Sequence, residues 1–513
     1  MSRIRFGSAI GRREFLRHAG LATAAALVSP ETLLADPYAP LPRILRPAAP
    51  VRVRGRVISR GRGVRNVSVT DGLSVVRTDA DGRYELVTTT RQRFVYLSVP
   101  SGYRIPVNET GTARFYQPIQ PDRRGEMNAI FQLEPLETSD ENHAFFLLAD
   151  PQTQNAYEME LLHSQTVPDL QGVIKQFGDT PLFGVSCGDI MFDDLSLFPD
   201  YERAVSRIGI PFFQVVGNHD LVRGPSDGPS TATFERHFGP SYYSFNRGRV
   251  HYVVLDDVFW YGPTYLGYIT DEQLAWLEAD LQYVERGSPV VVFVHIPLLC
   301  TQHRRHGERS PRPAISVGNR EALYRLLEPF QAHVLSGHTH ETEHVFEGGV
   351  QEHVHGTVCG AWWSGPICHD GTPNGYGIYE VRGEELRWQY KGTGLDVKEQ
   401  LRVYPRGADP KAPDEIVANV WNWDPEWKVI LYEDGQPRGA MERRLGLDPL
   451  SVELHSGSGK PERRPWVEPM PNEHLFYARV SPTAREVRVE ATDRWGRTYT
   501  AVLTEAARAR TPA

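Results

Sequence analysis

An α/β core held between two all-β modules is the fold class that the sequence predicts, and three observations predict it. Between about Ser139 and Tyr390, short apolar runs of strand character alternate with helical segments, the texture of a layered α/β sheet. On both sides of that region the apolar period falls to two residues, and turn residues recur at hairpin spacing. At 513 residues the chain is too long for one ordinary core, so several domains are expected.

The first residues read as an address. Gly11-Arg12-Arg13-Glu14-Phe15-Leu16-Arg17 precedes an Ala-rich apolar run from Ala19 to Val28 that is too short to span a bilayer. This resembles a twin-arginine signal over residues 1–35, cleaved near Ala35. The resemblance implies the twin-arginine export machinery as a partner and a periplasmic or secreted mature chain. Nothing later in the sequence is apolar enough to act as a stable membrane anchor. Pro37, Pro40, Pro42, Pro47 and Pro50 then make residues 36–50 an extended linker.

Residues 51–137 predict a β-sandwich: 51–57 and 64–70 alternate in polarity, and Asp71-Gly72 and Asp81-Gly82 supply turns. With Gly61, Gly63 and Thr78-Asp-Ala-Asp-Gly-Arg-Tyr84, this stretch resembles the carboxypeptidase regulatory-like sandwich, which implies a module without chemistry of its own. Residues 138–395 hold strand candidates at 144–149, 182–186, 212–216, 252–255, 290–294 and 333–335. One helix there is well marked, with Thr270 and Gln273 as a capping box and Leu274, Leu277, Leu281 and Val284 as its apolar stripe. Residues 396–513 return to period two at 416–421, 427–432, 476–480, 486–490 and 498–503, predicting a second β-sandwich.

Forty per cent hydrophobic and 23 per cent charged residues are the composition of a soluble globular protein. A net charge of −8 argues against a general nucleic-acid binder, which needs surplus Lys and Arg, so no nucleic-acid partner is expected. Cys187, Cys300, Cys359 and Cys368 lack the spacing of a structural zinc site and read as core thiols, with pairing of Cys359 and Cys368 left open.

Five of the six central strand candidates run directly into potential metal ligands, where open α/β sheets place their sites. In order these clusters are Asp150-Pro-Gln152, Gly188-Asp189, Gly217-Asn218-His219-Asp220, His295-Ile-Pro297 and Gly337-His338-Thr-His340. Two neighbouring divalent metals need a bridging carboxylate, further oxygen and imidazole donors, and room for water and substrate. Each cluster alone has a bland reading as a turn or loop. Five in succession, each at a strand end, do not.

The set resembles the calcineurin-like metallophosphoesterases, whose motif order is D-x-H, G-D, G-N-H-D/E, H and G-H-x-H. That resemblance covers about half the chain, and the flanking sandwiches resemble the N- and C-terminal modules of a bacterial subgroup. It implies a central two-sheet sandwich flanked by helices. It also implies two divalent metal ions (Mn, Fe, Zn or Mg), one held by Asp150, Gln152, Asp189 and His340 and the other by Asp189, Asn218, His295 and His338, with Asp189 as the bridge.

Two positions depart from common patterns. Gln152 offers a neutral amide oxygen where many members have His, which favours harder cations such as Mn²⁺ or Mg²⁺ over Zn²⁺. Phe192 stands where purple acid phosphatases place an iron-binding Tyr, so no phenolate can bind there. Beside the ligands, His219 and Asp220 are the catalytic candidates: a metal-bound hydroxide attacks phosphorus, and His219, oriented by the Asp220 carboxylate, assists the leaving oxygen. The run Gln302-His303-Arg304-Arg305-His306, which follows His295, reads first as a solvated loop and second as a contact for an anionic substrate. Trp362-Trp363 and the stretch from Asp370 to Tyr376 resemble pocket-lining features of the subgroup, with plain core packing the equal alternative. The expected activity is hydrolysis of a phosphate ester outside the cytoplasm, a monoester first and a diester second. The competitor is binding of envelope glycans by the sandwiches around an inactive centre.

Overall fold

The computed structural model describes residues 48–503 apart from 225, 458 and 459. The signal and most of the Pro-rich linker read above lie outside the described residues.

Two sheets form the central region. One has five strands in the order Phe212–Val215, Leu182–Cys187, Asn142–Leu148, Gly375–Arg382, Glu385–Gly392; the first three are parallel and the last two close as an antiparallel hairpin. The other has six, in the order Tyr243–Arg247, Val250–Val254, Pro289–Phe293, Gln331–Ser336, Val350–Val354, Glu343–Glu347, with parallel inner strands and antiparallel edges. Val250–Val254 and Pro289–Phe293 are buried at every position, which is why they read as unbroken apolar runs and not as alternations.

Alternate residues serve two cores. Phe145, Leu147, Tyr252, Val254, Val291, Phe293 and Tyr379 face inward between the sheets, where Phe145 stacks on Tyr379 at 4.7 Å and meets Tyr252 and Phe293 edge-on at 5.7 Å. Phe146, Leu148, Val253, Val290 and Val292 belong instead to the cluster that holds the helices' buried residues, among them Leu170, Phe198, Trp276 and Leu327. This is the layered α/β arrangement the sequence predicts.

The helix at Asp271–Leu281 forms, but its capping box is only half made. The Gln273 main-chain N–H donates to Thr270 Oγ1 at 3.4 Å, while the Gln273 side chain is taken by the main chain of Asp256. Trp276 is fully buried in the helix's packing face, and Val284 lies beyond its end. The hairpin Gly375–Gly392 is absent from the expected strands, because Gly375-Tyr-Gly377 interrupts any apolar run at its start.

Both flanks are β-rich. In the N-terminal one, Pro50–Ser59 pairs with Arg83–Thr89 and Glu126–Gln132, and a second sheet is built on Ser68–Thr70 and Phe94–Leu97. Its core is continuous with the inter-sheet core, since Phe115 meets Tyr243 at 4.5 Å and Phe213 at 5.9 Å. The C-terminal flank packs Leu401–Tyr404, Glu415–Val420, Asn472–Arg479 and Glu442–Gly446 against a sheet of Lys428–Glu433, Val487–Thr492, Thr498–Leu503 and Gln436–Ala440.

Candidate metal centre

The parallel strands of both sheets release their loops at one pole. The five-stranded sheet sends out Asp150, Gln152, Asp189 and Asn218, and the six-stranded sheet sends out His295, His338 and His340. All seven lie within a few residues after a strand end, and the loops cross at close quarters. A Cβ at Gly217 would overlap Asp189, and one at Gly337 would overlap the Asp150 carboxylate, so both motifs need glycine there. Asp150, Gln152, Asp189, His338 and His340 take left-handed φ values of 43, 41, 45, 71 and 53°, conformations that cost non-glycine residues about 1–3 kcal/mol each and that gather at functional sites.

Main-chain carbonyls fix the tautomers. His295 Nδ1 donates to Cys187 O at 3.0 Å, His338 Nε2 to Ala314 O at 2.7 Å and His340 Nδ1 to Gly360 O at 2.6 Å. A carbonyl can only accept, so in the neutral rings the opposite nitrogens carry lone pairs. His295 Nε2 then lies 3.1 Å from His338 Nδ1, 3.1 Å from Asn218 Oδ1 and 3.2 Å from Asp189 Oδ1. With both rings neutral, four electron-pair donors converge there, an arrangement that a divalent cation satisfies. His340 Nε2 faces Asp150 Oδ1 at 3.6 Å, and Asp150 is held by the His338 main-chain N–H.

Gln152 reaches Asp189 Oδ2 through its amide nitrogen at 3.1 Å, while its oxygen lies 3.8 Å from Cys359 Sγ. A half-turn of the terminal amide brings the oxygen round to the carboxylate. Charge state follows from the same crowding. Burial disfavours the His295 cation, yet Asp189 and Asp150 outweigh it and push the ring up to about 10. Asp150, buried beside Asp189, is raised to about 8. Where no cation sits, a proton takes its place.

His219 stands at the edge of the cluster with 22% of its side chain exposed. Its Nδ1 donates to Asp193 Oδ1 at 2.8 Å, and its ring stacks on Phe192 at 4.4 Å. The expected partner, Asp220, is elsewhere. Its carboxylate is fully buried and accepts the main-chain N–H groups of Gly217, Ile190 and Met191 at 2.9–3.1 Å. Asp220 therefore ties the two ligand loops together, and Asp193 orients His219. Burial opposes the imidazolium, but Asp189 and Asp193 raise the ring above its ordinary value.

Three family descriptions match the chain in order: the N terminal of calcineurin-like phosphoesterase at residues 51–136, calcineurin-like phosphoesterase at 145–342 and the C terminal of calcineurin-like phosphoesterase at 352–499. The chain belongs to the calcineurin-like phosphoesterases. It is a metal-dependent hydrolase of phosphate esters. Curated relatives include the serine/threonine-protein phosphatase CPPED1 of Bos taurus, 27% identical over 42% of this chain and 69% of that protein. The Homo sapiens protein of the same name is 30% identical over 24% of this chain and 43% of its own length. Among solved structures, a dimetal phosphatase from Danio rerio aligns with 49% of this chain and 96% of its own at 17% identity and a TM-score of 0.32.

Around the centre of this phosphoesterase, several expectations change. The 302–306 run is not a solvated loop: Arg305 is buried and donates to Glu341 at 2.7 and 2.8 Å, with Glu343 and Cys300 beside it. Thus the residue after His340 is anchored by an internal ion pair. Trp362 stacks on the His340 ring at 3.8 Å, and Trp363 Nε1 donates to Pro151 O at 3.0 Å, so both tryptophans adjoin the ligand loops. Tyr376 is a core residue whose hydroxyl donates to Asp169. Asp370 accepts from Thr342 N and meets His474 of the C-terminal flank. All four cysteines are free, and Thr357 Oγ1 lies 3.7 Å from Cys359 Sγ and 3.8 Å from Cys368 Sγ.

Asp193 escaped the sequence reading because no motif marks it. Its role depends on the loop after Asp189 folding back at a left-handed Asp193, φ 69°.

Proposed function

We propose that this phosphoesterase hydrolyses a phosphate monoester outside the cytoplasm, with Asp150, Gln152, Asp189 and His340 holding one divalent cation and Asp189, Asn218, His295 and His338 the other. The observation that carries it is the 3.1 Å approach of His295 Nε2 to His338 Nδ1, two lone pairs that only a cation or a proton reconciles. Cations held by these residues would supply Lewis acidity for activating a water and for neutralising charge on the phosphoryl oxygens. Gln152 in place of a second imidazole favours Mn²⁺ or Mg²⁺ over Zn²⁺.

The chain's own residues do the rest. Asp189 lies between the two donor sets, and its oxygens are separately engaged by the His219 main-chain N–H at 2.9 Å and by Gln152 at 3.1 Å. His219 keeps Nδ1 on Asp193, so Nε2 is the atom that delivers a proton to the departing oxygen. The phosphatase names of the CPPED1 relatives favour a monoester over a diester.

Metal-loaded protein is expected to turn over p-nitrophenyl phosphate faster than bis-p-nitrophenyl phosphate; the reverse order makes it a diesterase. His219→Ala should slow an alkyl phosphate by about 10²–10⁴-fold and p-nitrophenyl phosphate much less, because p-nitrophenolate hardly needs a proton. Equal losses with normal cation content remove His219 from the acid role.

Arg12 and Arg13 support the extracytoplasmic reading, and no helix among the described residues is long and apolar enough to cross a membrane. A reporter fused to residues 1–42 should leave the cytoplasm, and replacing both arginines with Lys should stop it.

A further inference from the structure

Two ring stacks end on histidines of the centre, and the outer member of each comes from one short segment of the C-terminal flank. The guanidinium of Arg464 lies 4.9 Å above Phe192, which stacks at 4.4 Å and 24° on His219. Two residues on, Trp466 packs edge-on against Trp362 at 4.5 Å, and Trp362 stacks at 3.8 Å and 18° on His340. We propose that Arg464 and Trp466 are positioning residues of the active site, and that their segment braces the rings of His219 and His340 from outside.

The segment is held as a brace must be. Arg464 Nη2 donates to Glu158 Oε1 at 3.0 Å, and Glu158 Oε2 accepts the Gln154 main-chain N–H at 2.7 Å, two residues past Gln152. Glu158 is completely buried, and Arg463 approaches the same oxygen at 3.4 Å from a more exposed position. Further along, Met470 N donates to His369 O at 2.9 Å and Arg305 Nη1 donates to Pro471 O at 2.6 Å. Arg464 and Trp362 both take left-handed φ values, 58 and 54°, like the ligands they serve.

Burial alone does not explain the arrangement, because Trp466 leaves 53% of its surface exposed. What it gains is a contact that fixes the plane of Trp362, and through it the plane of His340. The hydrogen bond from His340 Nδ1 to Gly360 O holds one direction of that ring, and the stack holds the rotation about it. On the other side the Phe192 ring, pressed by a cation on its outer face, leaves His219 a single orientation beside Asp193. This inference rests on the roles given above to His219 and His340.

The full-length protein tests it with Mn²⁺ and two esters. Trp466→Ala should weaken calorimetric Mn²⁺ affinity at one of the two sites by about tenfold or more, the effect typical of losing an outer partner of a ligand, and Trp466→Phe should restore it. Arg464→Met should leave two-site Mn²⁺ binding intact and slow an alkyl phosphate several-fold more than p-nitrophenyl phosphate. Arg464→Lys keeps a charge for Glu158 but not a flat stacking surface, so the selective alkyl loss should persist in it even if Arg464→Met fails to fold. Variants that match the wild type in Mn²⁺ affinity and ester ratio overturn the brace, as do equal losses on both esters in step with melting temperature. A wild-type protein that binds no Mn²⁺ and hydrolyses neither ester overturns the functional reading itself.

Discussion

The Asp193 carboxylate meets His219 Nδ1 at 2.8 Å and receives Arg223 Nη2 at 2.6 Å on the same oxygen. Asp193→Asn keeps the shape and removes the charge. The imidazolium then loses one of the anions that raise it, and His219 becomes a weaker proton carrier. Alkyl phosphate turnover should fall by about tenfold, less than the ~10²–10⁴-fold that general acid help contributes because the imidazole itself is kept, with p-nitrophenyl phosphate turnover falling less. Steady-state kinetics on the two esters check it, and an unchanged ratio counts against the assignment.

Cation binding should show as stability. A ligand at a thousandfold excess over its Kd adds about 4 kcal/mol to folding, so chelation should lower the melting temperature and Mn²⁺ should restore it. Asp189→Asn should abolish most of that response and nearly all activity, since the proposed assignment gives Asp189 to both cations. Elemental analysis is expected to give about two cations per wild-type chain, and one or none in active protein refutes the two-cation assignment.

Arg305 and Glu341 form an internal ion pair whose side chains are 4% and 1% exposed. Breaking such a pair from one side leaves a buried charge and costs about 3–5 kcal/mol. Arg305→Met should therefore destabilise strongly, and adding Glu341→Gln should recover part of the loss. Urea unfolding of the single and double variants measures it; a double variant as unstable as the sum of the singles contradicts the coupling.

A set of three histidines on and just after strands of the six-stranded sheet faces Tyr379 of the five-stranded one. His333 Nδ1 and His353 Nε2 are 3.1 Å apart, and Tyr379 Oη bridges His353 Nδ1 at 3.2 Å and His355 Nε2 at 2.6 Å. Burial lowers His333 to about 4 and His355 to about 3. The unfolded chain takes up protons at the ordinary imidazole pKa near 6.5, whereas the folded chain refuses them until about 4 or below. Stability is thus fully present above pH ~6.5 and drains as pH falls, by up to about 1.4 kcal/mol per group per pH unit. Thermal melts from pH 7.5 to 5 should show a falling midpoint, steeper than in His333→Gln; a flat profile refutes it.

The residues that converge at the centre are legible because each follows a strand that is itself legible. A parallel strand buried on both faces prints a run such as Pro289-Val-Val-Val-Phe293 into the sequence, and the His two places on needs only local geometry to arrive. Asp220 misleads for the opposite reason: its neighbour His219 turns to solvent while Asp220 turns inward, and adjacency in a tight loop says nothing about facing. Phe192 is visible as a missing phenol but not as the floor under His219, since its other face is covered by Arg464, far along the chain. Arg305 reads as one more charge in a basic run, and only the fold shows that Glu341 lies opposite.

The ligands come from both sheets, and Asp150 meets His338 across 188 positions of chain. No early folding intermediate that has built only the first parallel strands can own this site, because half of the donors have not yet been placed. A complete donor set therefore exists only in a chain whose two sheets have already closed on each other.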